Sequence, residues 1–141
     1  MNINFLKAKI LIVDDEPANV ALLEDILEEQ GYTYFRSTSD SRKALAMYEE
    51  MRPDLVLLDL NMPHLDGFQV MEQLQELEQD YYAPILVLTA QSDRNTRIKS
   101  LEAGARDFLG KPFDLIEVKQ RISNMLEIRL LHNHTRDQNR L

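Results

Sequence analysis

Three unbroken apolar runs, Ile10–Val13, Leu55–Leu58 and Ile85–Leu88, constrain the fold of this chain more than any other feature. A strand with one face in water alternates polar and apolar residues, and these do not. They read as strands buried on both faces, as in a parallel sheet covered by helices. A weaker run, Phe108-Leu109, and a shorter candidate, Tyr34-Phe35, bring the strands to five. Amphipathic stretches of helical length lie between them. Val20, Leu23 and Leu27 share one stripe; Ala44, Leu45, Tyr48 and Met51 build a second, and Val70, Met71, Leu74 and Leu77 a third. Pro17 suits a first helical turn, Gly31 and Gly104 suit left-handed helix ends, and Asp114 with Glu117 resembles a capping box. The segment 93–103 reads as a helix with few large apolar groups beyond Ile98 and Leu101, and is expected to be the least firmly anchored. The order is β-α five times over, which predicts an open α/β sheet, doubly wound and parallel.

Composition narrows the function. The 141 residues suit one compact domain, and the absence of cysteine excludes disulfides, thiolate metal sites and a cysteine nucleophile. No apolar run approaches a membrane span, and the first residues lack the pattern of a secretory signal, so the expected location is cytoplasmic, with no membrane partner. The net charge of −8 argues against direct nucleic-acid binding, which needs Lys and Arg to neutralise phosphates. That acidity belongs to residues 1–114; residues 115–141 carry five basic and three acidic side chains.

Ligand chemistry in such a fold sits at the carboxyl ends of the strands. There stand Asp14-Asp15-Glu16, Asp59, Thr89-Ala90 and Lys111-Pro112. Each alone has a plain explanation: an Asp after a strand is commonly a turn or helix-cap residue, and a Thr or Lys there is often surface. Together they form a set. Converging carboxylates repel one another unless protonated or neutralised by a cation, and Mg2+ fits because it prefers oxygen ligands and is typically held by one or two carboxylates plus a phosphate oxygen. Lys111 offers a fixed positive charge and Thr89 a hydroxyl for phosphoryl oxygens, the parts needed to move a phosphoryl group onto an aspartate.

Over residues 8–127 the sequence resembles a response regulator receiver domain of two-component signalling. The resemblance is carried by Ile-Leu-Ile-Val-Asp-Asp-Glu-Pro at 10–17, Leu-Leu-Asp-Leu-Asn-Met-Pro at 57–63, Asp66-Gly67, Val-Leu-Thr-Ala at 87–90 and Ala-Arg-Asp-Phe-Leu-Gly-Lys-Pro-Phe at 105–113. It implies a CheY-like, flavodoxin-type (βα)5 fold with strand order 2-1-3-4-5. It also implies that Asp59 accepts the phosphoryl group, that Asp14, Asp15, Asp59 and the backbone carbonyl of Asn61 hold Mg2+, and that Lys111 contacts the phosphoryl group. Thr89 and Phe108 would be the switch pair, Phe108 working by inward packing because it lacks a tyrosine hydroxyl, and the bond to Pro112 would be cis. Asn61 and Gln91 fall where acyl-phosphate lifetime is tuned. The implied partners are a sensor histidine kinase or a histidine phosphotransfer protein. The piece itself would be no enzyme beyond Mg2+-dependent self-phosphorylation and autodephosphorylation.

A rival reading is an aspartate-nucleophile phosphohydrolase of the haloacid-dehalogenase type. That family expects an acid/base Asp two residues after the nucleophile, where Asn61 stands and cannot exchange a proton. His64, His132 and His134 read as ordinary surface residues; the last two are two apart on a helix and do not share a face.

The expected boundaries are a receiver over 1–127 and a helical extension over 128–141. No Gly or Pro follows Pro112, so a helix of 20 or more residues should run from Leu115. Its outer part reads either as a frayed polar terminus or as a linker helix that pairs in a homodimer coil. The stretch from Arg129 to Leu141 resembles the signalling helix that joins receivers to HD-GYP cyclic-di-GMP phosphodiesterase domains or, less specifically, to diguanylate cyclases. That implies an attached C-terminal output domain.

Overall fold

The computed structural model describes residues 5–77, 83–90 and 94–139, with side chains in the last segment as far as Leu131. Asp93 and Gln91 lie outside the described residues, as do the side chains of His132 and His134. Five strands, β1 (Lys9–Val13), β2 (Tyr34–Thr38), β3 (Leu55–Asp59), β4 (Ile85–Thr89) and β5 (Asp107–Gly110), alternate with five helices: α1 (Pro17–Glu29), α2 (Ala44–Met51), α3 (Gly67–Leu77), α4 (Arg94–Glu102) and α5 (Leu115–Asn139). All pairings are parallel, as the apolar runs predict, and the order is β2-β1-β3-β4-β5, as the family resemblance implies. No described helix is long and apolar enough to cross a membrane.

The continuity of the apolar runs has the expected cause. Every residue of β3 and β4 is buried, because alternate side chains feed two separate cores. Ile10, Ile12, Leu55, Leu57, Leu86 and Leu88 face α1 and α5, while Leu11, Val13, Val56, Leu58, Ile85 and Val87 face α2 and α3. β2 is an edge strand with no fully buried residue, which explains its faint signal.

Helix ends follow local chemistry. Pro17 occupies the first turn of α1, and Gly31 (φ 95°) and Gly104 (φ 115°) take the left-handed conformation after α1 and α4. Asp114 Oδ1 accepts from the backbone N–H of Ile116 and Glu117, the forward half of the expected box; the Glu117 carboxylate lies instead beside Arg121. α4 is weakly anchored, as its sparse apolar content leads one to expect. Its two large apolar groups, Ile98 and Leu101, are 42% and 49% exposed, and of its residues only Ser100 is buried. α5 runs through residue 127 unbroken; Val118, Ile122, Met125 and Leu126 are buried and Leu130 packs against the same core. Arg129 is buried as well.

Candidate functional site

β1 and β3 are adjacent and in register, Val13 opposite Leu58, so the residues that follow, Asp14 and Asp59, emerge side by side at the carboxyl edge. Both are buried, and Asp15 is half-buried. One carboxylate oxygen from each of Asp14, Asp15 and Asp59 lies within 4.8 Å of the others. The cluster expected from the sequence therefore forms.

Lys111 enters from β5. Its backbone N–H donates to the Thr89 carbonyl (2.9 Å), and the peptide bond to Pro112 is cis. The Lys111 Nζ lies 3.2 Å from Asp14 Oδ2 and 3.2 Å from Asp59 Oδ1, so one ammonium spans two carboxylates. Burial alone would lower the pKa of this lysine; the charges of Asp59 and Asp14 outweigh it and hold the pKa above the ordinary lysine value.

Asp59 is the group whose charge is least tolerated. Burial, a hydrogen bond with Asp15 and the charge of Asp14 push its carboxyl up to about 7, against the pull of Lys111. The donor set suits a small hard cation on two grounds. All the donors are oxygens, and Asp14 Oδ2 is buried without a hydrogen-bond partner, at ion-pair distance from Lys111 rather than in an aligned hydrogen bond. The other Asp14 oxygen accepts from the backbone N–H of Glu16 at 3.0 Å, which fixes the carboxylate.

The remaining expected residues take distinct places. The backbone N–H of Asn61 lies 3.4 Å from Asp59 Oδ1, and the Asn61 side chain is exposed. Thr89 ends β4 and is buried; Ala90 and Pro112 are exposed. Thr89 pairs with Gly110 and Val87 with Phe108, so Thr89 and Phe108 belong to the same face of the sheet. Phe108 is half-buried against the α2/α3 core, and the Arg97 guanidinium stands over its ring at 4.3 Å. His64 is exposed and left-handed (φ 70°), with its imidazole playing no part in the cluster.

Two supports carried no readable role in the sequence. Buried Ser41, just after β2, has a hydroxyl that donates to the Pro63 carbonyl (3.0 Å) and accepts from the Leu65 N–H (3.2 Å), pinning the loop after Asp59. Its partners lie 22 and 24 residues away, so no local pattern could show it. Gly67, the first residue of α3, sits so close to the end of β3 that an added Cβ would meet the Asp59 carbonyl oxygen at 2.6 Å and Leu60 Cα at 2.8 Å. The Asp66-Gly67 pair was visible as a motif; the close approach behind it was not. Asp66 and Gln69 exchange N-cap hydrogen bonds, each 2.9 Å, that fix this helix end.

Comparison with known proteins points one way. The family model described as response regulator receiver domain matches residues 10–123. The alkaline phosphatase synthesis transcriptional regulatory protein PhoP of Bacillus subtilis (strain 168) is 41% identical over 121 residues, covering 86% of this chain and 49% of that protein. Response regulator PleD of Caulobacter vibrioides (strain NA1000 / CB15N) is 38% identical over 131 residues, 93% of this chain and 29% of that protein. The chain thus spans about half the length of these relatives or less. Among solved structures, the receiver domain of sensor histidine kinase PA1611 from Pseudomonas aeruginosa PAO1, described with a magnesium ion coordinated in its active site cleft, superposes with a TM-score of 0.77 at 30% identity. It covers 86% of this chain and 98% of that one.

Proposed function

The chain belongs to the response regulator receiver domain family of two-component signalling, and from that premise we propose that Asp59 is its phosphoryl acceptor and Lys111, Thr89 and Phe108 its supporting and switching residues. The haloacid-dehalogenase reading finds no support, since the matched relatives are regulators and receivers. The observation that carries the proposal is the buried acidic cluster bridged by one lysine: Asp14, Asp15 and Asp59 within 4.8 Å, and Lys111 Nζ 3.2 Å from two of them.

The roles follow from the chemistry of each group. Ionised Asp59 attacks the phosphorus of a phosphohistidine on a sensor kinase or histidine phosphotransfer protein. A carboxylate oxygen–phosphorus bond forms, and the electron pair of the phosphorus–nitrogen bond returns to the imidazole. Lys111 supplies positive charge to the phosphoryl oxygens and Thr89 a hydroxyl donor. The carboxylates of Asp14, Asp15 and Asp59 with the Asn61 carbonyl are suited to hold Mg2+, which when bound would neutralise charge shared by carboxylate and phosphoryl oxygens. Thr89 then moves toward the phosphoryl group and Phe108 packs inward behind it, altering the face formed by α4 and β5. Residues 1–127 form the receiver and 128–141 a helical linker, at work in the cytoplasm. The resemblance of the segment 129–141 to the helix preceding HD-GYP domains, or more loosely diguanylate cyclases, supports an output domain of cyclic-di-GMP turnover and a homodimer paired through α5.

Incubation with acetyl phosphate and Mg2+, read by intact mass, tests the assignment. One phosphoryl group per chain is expected on the parent and none on Asp59→Asn. Stoichiometric uptake by Asp59→Asn, or repeated turnover of a phosphomonoester by the parent, would overturn it.

A further inference from the structure

α4 is attached to the body by cations stacked on rings. Apart from Ser100 it buries nothing, yet two of its basic side chains reach aromatic rings on its two neighbours. The Arg97 guanidinium lies 4.3 Å from the centroid of Phe108 on β5, and Lys99 Nζ lies 4.3 Å from the centroid of Phe68 on α3. Residues two apart on a helix point to opposite flanks, so one cation reaches each side. The two stacks differ in what they touch. Phe68 belongs to α3, whose first residue is pressed against the acceptor strand. Phe108 pairs with Val87, two residues before Thr89, on the face that Thr89 shares.

We propose that Arg97 is a positioning residue for the switch: its guanidinium holds the Phe108 ring and α4 in the resting arrangement, and phosphorylation of Asp59 draws the ring inward against that stack. The inference rests on the receiver reading above and deepens it. A phenylalanine has no hydroxyl with which to report its position, but its ring attracts a cation through the quadrupole of its face, and that attraction ends when the ring turns away. The ring and the helix are then coupled by a contact present in one state and lost in the other. Such a differential contact is what shifts a two-state equilibrium, and the shift is reciprocal: weakening the stack favours the phosphorylated arrangement, and phosphorylation releases α4. Arg97 is exposed, so its replacement leaves the core intact.

The test titrates the full chain, in saturating Mg2+, with beryllofluoride, a mimic of the bound phosphoryl group, and follows the backbone amide signals of α4. The parent is expected to saturate. Arg97→Ala should lower the half-saturating concentration about two- to fivefold, the range that one exposed cation–ring contact commands, with Arg97→Lys between the two. In a Phe108→Leu background the Arg97→Ala shift should vanish. A purely structural arginine would lower the melting temperature equally in both backgrounds and leave the midpoint where it was. A midpoint unchanged or raised by Arg97→Ala, or a shift that survives Phe108→Leu, overturns the inference while leaving the receiver reading standing. No saturation of the parent overturns that reading and the inference with it.

Discussion

Helices α3 and α4 are neighbours on the same side of the sheet, joined by a hydrogen bond from Gln75 Nε2 to the Ala103 carbonyl (2.6 Å), and are held by different physics. α3 buries Gly67, Val70, Met71 and Leu74. Each large side chain among these contributes about 1.5–3 kcal/mol of transfer energy, so α3 is fixed by burial. α4 buries Ser100, whose hydroxyl turns back on the Thr96 carbonyl, and leaves its two large apolar groups in water. Its cation–ring contacts are worth about 0.5–1 kcal/mol each at such exposure. The proposed phosphoryl site stands at the carboxyl ends of β1 and β3. A signal generated there meets a rigid support on the α3 side and a yielding one on the α4 side, and low local stability is a requirement for an element that must move.

Four tests probe this contrast, in decreasing order of effect. Gly67→Ala places a methyl group against backbone atoms that cannot step aside, and should destabilise the protein by about 3 kcal/mol or more in urea unfolding. Gly110→Ala is its control, since a Cβ there meets nothing within 4 Å, and should stay within about 0.5 kcal/mol of the parent. Equal losses would remove the special status of the α3 end. Leu74→Ala in α3 should cost about 2–4 kcal/mol, whereas Leu101→Ala in α4 should cost less than about 0.5 kcal/mol. If the two proved alike by chemical denaturation, α4 would be anchored after all.

The third test removes charge from the site itself. The Asp59 carboxyl is raised from an ordinary 3.8 to about 7 in the folded metal-free chain, so between those pH values the folded state holds a proton that the unfolded state has lost. Stability from this group is therefore full below about pH 4 and is lost as pH rises through about 7. Asp59→Asn should accordingly stabilise the metal-free protein by roughly 1–2 kcal/mol at pH 8 and by about a third as much at pH 5. Thermal melts at the two pH values would refute this if the gain were larger at the lower one. The fourth and smallest effect is Lys99→Ala, which frees α4 from Phe68. Amide exchange in α4 should quicken about two- to fivefold while that in α3 is unaltered; quickening in both would mean the two helices open as one unit.

The sequence carried the sheet well because burial on both faces leaves a one-dimensional trace: β3 and β4 read as unbroken apolar runs. β2 left only Tyr34-Phe35 because an edge strand need not be apolar throughout. The cluster was legible for a related reason. Asp14, Asp15, Asp59, Thr89 and Lys111 stand directly at or after strand ends, where a parallel sheet gathers whatever follows its strands. Contacts made at a distance were not legible. Ser41 reaches a loop more than 20 residues away, Arg97 and Lys99 reach rings on other elements, and nothing in the spelling of Gly67 reports the backbone beside it.

The loop after Asp59 carries a further consequence, and it is entropic. His64 keeps a left-handed conformation that side chains other than glycine enter only at a cost of order 1 kcal/mol, and the two hydrogen bonds of Ser41 clasp the loop on either side of it. A segment held in so unfavourable a shape has few alternative shapes to wander through. The groups around Asp59, the proposed acceptor, have thus given up their freedom during folding, and a phosphoryl donor arriving there would find neighbours that need little further ordering.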